Sequence, residues 1–200
     1  MKTSVTDILR ALVRISGNNR GAAVVEMALV LPLLVALVLG LYEFSTAIAA
    51  NNIITNMSRE GANLAARSGA SPADIMSALS ETASQIDMRE SGTIYLTRIQ
   101  EMAIGSSGKG PQVISQYRWV GSALASPPVS KVWACTNSSS WDGDQCDIGP
   151  AIPSANRTAE LDMELREGEE LVVVEVFYVY RPVLKFFQTR DLSLYSRTML

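Results

Sequence analysis

The stretch RGAAVVEMALVLPLLVALVLGLYEF, residues 20 to 44, decides the architecture of this 200-residue chain. From Met27 to Tyr42 no side chain is charged, and counting back through Glu26 to Ala22 gives a run of 21 residues. About 20 predominantly apolar residues are what a helix needs to cross the hydrocarbon of a bilayer. A helix in a soluble core keeps a polar face, whereas this run is apolar all round. Before it lie Lys2, Arg10, Arg14 and Arg20 against a single acid, Asp7; after it no basic residue occurs until Arg59. Positive flanks stay in the cytoplasm, so the N-terminus is expected there and the C-terminal bulk across the membrane. Glu26 breaks the pattern. A carboxylate in a membrane helix costs about 2–3 kcal/mol even on lenient insertion scales, so it either faces a partner or sits wet at headgroup depth. Both readings stand at this point.

Composition narrows the function classes. Hydrophobic residues make up 48% and charged residues 18%, which suits one folded domain with one membrane segment. A net charge of −3 gives no case for nucleic-acid binding. Histidine is absent, which removes the commonest neutral-pH acid–base group and excludes Ser-His-Asp and Cys-His sites. With no nucleophile–base pair to assemble, the expectation is a protein that is not an enzyme and takes no cofactor.

Residues 1–21 do not read as a secretory signal peptide. The apolar run is too long for an h-region, and no small-x-small cleavage site with a polar boundary follows it. Two options remain: an uncut signal anchor, or a basic leader removed after Gly21 on the cytoplasmic side, leaving a new N-terminus at Ala22. Removal would take four of the 17 basic and one of the 20 acidic residues, leaving 13 against 19 and a net charge of −6.

The order of basic leader, Gly21, Ala22 to Val25, then Glu26 at the fifth position of an apolar helix resembles the processing site of type IV prepilins and pseudopilins. With the Leu31-Pro32 pair and the Arg59-Glu60-Gly61-Ala62 block, the chain resembles more narrowly the TadE-like family, minor pseudopilins of the tight-adherence (Tad) pilus system. The likeness covers residues 20 to 70; Met27 stands where an aromatic often follows the glutamate. It implies a processing site at Gly21, Ala22 and Glu26, and a prepilin peptidase as partner. It also implies major pilin, other minor pseudopilins and an inner-membrane assembly platform. A freed Ala22 amine would lie one turn from Glu26, on the same chain or on a neighbour, and set subunits in register. Pro32 removes the bond to the Ala28 carbonyl. It is either a tolerated break or a loosening that lets the subunit leave the bilayer.

The helix is expected to continue to Arg67, with Gly69 as its stop. Phe44, Ile48, Ile54, Met57, Gly61 and Leu64 form its apolar stripe, opposite Glu43, Asn52, Arg59 and Glu60. A break at Asn51-Asn52 is the alternative. Ser71 as N-cap, Pro72 at the first position and Asp74 three residues on predict a second, short helix with Ile75, Met76, Leu79, Ala83 and Ile86 buried. Thr93–Ala103, Gln112–Gly121, Leu171–Val183 and a closing RDLSLYSRTML read as strands. The fold class is therefore α+β and pilin-like: a long N-terminal membrane-spanning helix and a short helix packed on an antiparallel sheet of about four strands. The domains are a leader (1–21), a membrane half-helix (22–43) and an extracytoplasmic head (44–200). Gly108-Lys109 imitates a phosphate loop, but Ala103, Gly110 and Pro111 stand where that motif needs Gly, Ser or Thr, and a helix. A hairpin turn is expected there.

Residues 122 to 168 hold both cysteines. Cys135 and Cys146, in an exported domain, read as a disulfide. The clasped loop either presents Trp133 and Trp141 to a partner or packs them on the sheet. Asp142, Asp144 and Asp147 are weak calcium candidates, since Pro153 stands where an EF-hand needs its last glutamate.

Two functions follow. The first is a structural minor pilin or pseudopilin, cut after Gly21, that supports assembly or initiation of a Tad-type adhesion pilus or of a related secretion system. The second is an uncut, single-pass, membrane-anchored periplasmic binding module. Both place the chain in the bacterial inner membrane with a periplasmic head, and the first extends to incorporation in an extracellular pilus.

Overall fold

A computed structural model describes residues 19–104, 109–135, 141–148, 157–182 and 191–200. The chain divides into two units, Met1–Ser45 and Thr46–Leu200. Helix α1 runs unbroken through Asn19–Arg67, 49 residues, with Pro32 inside it. The break at Asn51-Asn52 does not occur.

In the first unit the apolar side chains of α1 point outward on every side. Leu29 is 75% exposed, Leu33 62% and Leu41 69%. This part of the helix is long and apolar enough to cross a membrane, and none of its most apolar window is buried. A core helix would show the reverse.

In the second unit α1 buries Ala50, Ile54, Met57, Ser58, Gly61, Ala62 and Ala65. The expected stripe is therefore wrong at its start: Ile48 is 45% exposed and Phe44, in the first unit, 68%. Small residues replace them because the backbone comes close to its neighbours. A Cβ on Gly61 would lie 2.7 Å from Leu79 Cδ1 and 3.1 Å from Val174 Cγ1.

Helix α2, Pro72–Thr82, is capped as its sequence demands. The Ser71 hydroxyl accepts from the Asp74 amide at 3.1 Å and donates to Asp74 Oδ2 at 2.7 Å. Ile75, Met76 and Leu79 are buried. A further single turn, α3 (Met88–Ser91), was not expected; Asp87 caps it through the Glu90 amide at 3.0 Å.

Among the described residues the sheet has six strands, rather than about four: β1 (Gly92–Ala103), β2 (Lys109–Arg118), β3 (Trp141–Asp142), β4 (Gln145–Cys146), β5 (Glu170–Tyr180) and β6 (Leu192–Met199). Their order is β3-β4-β2-β1-β5-β6, antiparallel throughout. The extra pair is a two-residue hairpin within the clasped loop, turning at Gly143 with φ +63°. Strand β2 starts and ends three residues earlier than its expected bounds, so Lys109 and Gly110 pair with Ala103 and Met102 in the β1 ladder. Antiparallel pairing of β1 with β2 agrees with the hairpin reading; residues 105–108 of its turn lie outside the described residues.

Two cores explain the sequence pattern of the strands. Ile94 and Leu96 join Val172, Val174 and Val176 beneath the helices, with Ile54, Met57, Met76 and Leu79. Ile99 faces the other side with Val113, Leu171 and Val173, covered by Val132, Trp133, Ala159 and Leu161 from the 122–168 region. The sheet is thus buried on both faces, which is why β5 reads as a near-continuous apolar run.

Candidate functional site

Gly21, Ala22 and Glu26 sit in the first turns of α1. Residues four apart on a helix share a face, about 6 Å apart along the axis, so Ala22 and Glu26 are neighbours. Both are exposed, and Glu26 takes no partner among the described residues. Space around Gly21 is open: a Cβ there would meet nothing within 4 Å. Pro32 is exposed and leaves the helix continuous to Arg67. Residues 1–18, most of the expected leader, lie outside the described residues.

The second set of candidates is in the clasp. Cys135 and Cys146 form a disulfide with their Cα atoms 6.3 Å apart, joining the segment after Ser130 to β4. The β3–β4 hairpin holds the edge of β2 through the Tyr117–Gln145 pair and the Arg118 amide, which donates to the Asp144 carbonyl at 2.7 Å. Trp141 lies under the Arg118 guanidinium, 4.6 Å from its ring centre, and 6.3 Å from the Tyr95 ring. Trp133 packs into the second core. Both tryptophans therefore belong to the sheet, as the packed reading had it. Asp142 and Asp147 are exposed and Asp144 half-buried. Among the described residues no three acidic, cysteine or histidine side chains gather as a metal set, these three included.

One charged residue escaped the sequence reading. Glu175, in the middle of β5, is completely buried. Its carboxylate accepts from the Ser130 hydroxyl, from the Lys131 amide at 2.9 Å and from the Tyr195 hydroxyl at 2.9 Å. A buried acid needs such donors, because an unpaired charge away from water is very costly. Around it, the Tyr95 hydroxyl donates to the Pro128 carbonyl at 2.8 Å, and Lys131 Nζ stands 4.0 Å over the Tyr195 ring. Gln116 Nε2 donates to the Trp133 carbonyl at 2.8 Å and to Thr97 Oγ1 at 3.1 Å. Burial pushes the Tyr195 phenol well above its ordinary pKa, and the Glu175 charge and its hydrogen bond push it further. Tyr95 is raised too, by burial first, against the lowering effect of Arg118. The group works as an anchor, fastening residues 128–133 to the sheet. Its signal was present in LVVVEVFYVY: one glutamate inside a strand apolar on both faces.

These features define a class: an α+β protein with, among the described residues, one exposed apolar helix near the N-terminus, consistent with a single-pass membrane anchor. Within that class, residues 21–63 match the family model described as TadE-like protein, and over that segment the chain is similar to that family. The match begins at Gly21 and spans Glu26, Pro32 and the Arg59–Ala62 block. Comparison with curated proteins and with solved structures gave no match.

Proposed function

We propose that this chain is a structural, non-enzymatic minor pilin or pseudopilin, cut after Gly21 by a prepilin peptidase, that supports assembly or initiation of a Tad-type pilus. The observation that carries the reading is Gly21 followed at the fifth position by Glu26, in an exposed apolar helix inside the family-matched segment. In this reading the basic leader faces the cytoplasm, the helix spans the inner membrane and residues 44–200 are periplasmic. Cleavage leaves the Ala22 amine one turn from Glu26. The Glu26 carboxylate, exposed and unpartnered among the described residues, then pairs with an amine of its own or a neighbouring subunit. The remaining partners are the major pilin, other minor pseudopilins and the assembly platform. Intact mass and N-terminal sequencing of the membrane-extracted protein test this. A mature start at Ala22 is expected; a chain beginning at Met1 in cells with an active peptidase overturns it and leaves the uncut binding module.

A further inference from the structure

Where the α2–α3 turn meets the end of β2, the second unit has an open cleft of about 490 Å³. One wall is the Trp119 indole; the rim carries Ser84, Gln85, Asp87 and Arg89. No sequence motif pointed here.

Both sides of the cleft are fixed in advance. The Trp119 amide donates to the Ile94 carbonyl at 2.9 Å, and its ring packs on the helix-side core. Gly121 makes room for that ring, since a Cβ there would lie 2.4 Å from Trp119 Cζ2. The rim is held by Ile86 N–H to the Ala83 carbonyl at 3.0 Å, by the Asp87 cap on α3, and by Ala123 N–H to the Arg89 carbonyl at 2.7 Å. A site ordered before its ligand arrives loses less conformational freedom on binding. By contrast, the Ser84 hydroxyl, the Gln85 amide and the Arg89 guanidinium are exposed and take no protein partner among the described residues.

A rigid indole on one side and uncommitted hydroxyl, amide and guanidinium groups on the other suit one kind of ligand. The ligand needs a flat C–H face to lie on the ring and hydroxyls at its edge to meet the rim. A pyranose ring has both. The volume falls within the range of about 300–1,000 Å³ in which small-molecule sites occur. Arg89 adds a cation that can also donate to a carboxylate on the sugar.

We propose that this cleft binds a pyranose residue of a glycan, stacked on Trp119 and hydrogen-bonded by Ser84, Gln85 and Arg89. The proposal stands apart from processing at Gly21, because every residue it uses lies in the second unit. The test is calorimetric titration of the full chain in detergent with two probes, the neutral chitotriose and the acidic trigalacturonate. Saturable binding of at least one is expected, weakened about fivefold or more by Gln85→Ala and by Arg89→Ala, the loss of one good hydrogen bond each. Arg89→Ala should weaken trigalacturonate more than chitotriose. Trp119→Ala should abolish binding, but it also removes core packing, so the exposed pair decides. The proposal is overturned if neither trisaccharide saturates at millimolar concentration, if the two exposed variants bind as the parent does, or if the peptide Ala-Trp-Ala binds as tightly.

Discussion

Two glutamates stand in apolar runs of this chain, and their surroundings are opposite. Glu26 is exposed, on a helix whose neighbouring side chains are exposed, and takes no partner among the described residues. Glu175 is sealed inside the second unit and holds three donors of its own chain. An acid among apolar residues announces a partner in either case, since its charge must be met by water, a donor or a cation. The difference is where the partner is. At Glu175 the fold supplies it; at Glu26 the described residues do not.

The largest expected effect separates the two. Glu175→Ala leaves Ser130, Lys131 N–H and Tyr195 without their acceptor and opens a cavity, so it should destabilise the second unit by about 3 kcal/mol or more. Urea unfolding of the full chain, followed by tryptophan fluorescence, measures this. Glu26→Ala should change the same curve by less than about 0.5 kcal/mol, the usual range for an exposed position, while the variant inserts but fails to support pilus assembly. Equal destabilisation by both, or normal piliation with Glu26→Ala, breaks the contrast.

The clasp gives the next effect. Removing the Cys135–Cys146 bond, by paired Ser substitutions or by reduction, frees a loop that the chain-entropy model values at about 3 kcal/mol. The first unit holds no part of this clasp, so its helical circular dichroism in detergent should not change. Loss of that helicity would mean the two units are not independent in stability.

How legible was all this in the sequence? Helix α1, the Ser71 cap and the β5 strand were readable because each rests on a local rule: apolar length, a side chain facing its own backbone, a β-branched run. The Gly21 to Glu26 spacing rests on a different ground, its resemblance to prepilin processing sites. The start of the buried stripe was not readable: Phe44 and Ile48 are large and apolar yet exposed, while Ala50, Ser58 and Ala62, outside the expected stripe, make contacts. Close approach favours small residues, and smallness carries little hydrophobic signal. The two-sided burial of the sheet was hidden for a different reason. Val132, Trp133, Ala159 and Leu161 cover one face from segments outside the long strands, and nothing in the periodicity of their sequence says what they pack on. Glu175 and the Trp119 cleft depend on contacts between segments far apart in the chain, which no local rule reports.

A smaller effect sharpens the comparison through two glycines of α1. Gly61→Ala brings a methyl against Leu79 and Val174 and should cost about 1–3 kcal/mol by overpacking. Gly40, in the first unit, has nothing within 4 Å, so Gly40→Ala should leave stability unchanged or raise it by about 0.5–1 kcal/mol through helix propensity. Thermal unfolding of both variants distinguishes them. A destabilised Gly40→Ala would show that the first unit packs more tightly than its exposure implies.

The smallest effect lies in the pH dependence of the Glu175 anchor. Tyr195 is neutral when it donates to Glu175, and its folded pKa is raised above the unfolded value near 10. A raised pKa means that the folded state holds its proton where the unfolded state has lost it. The contribution is therefore complete below about pH 10 and declines as pH rises above it, because the unfolded state then binds fewer protons. Tyr195→Phe should remove that hydrogen bond, at a cost of about 1–2 kcal/mol at neutral pH, and flatten the alkaline decline. Tyr95 and Tyr178 are raised as well, chiefly by burial, so some decline persists. Parallel stability curves for Tyr195→Phe and the parent above pH 10 would place the alkaline sensitivity elsewhere and separate the phenol from the anchor.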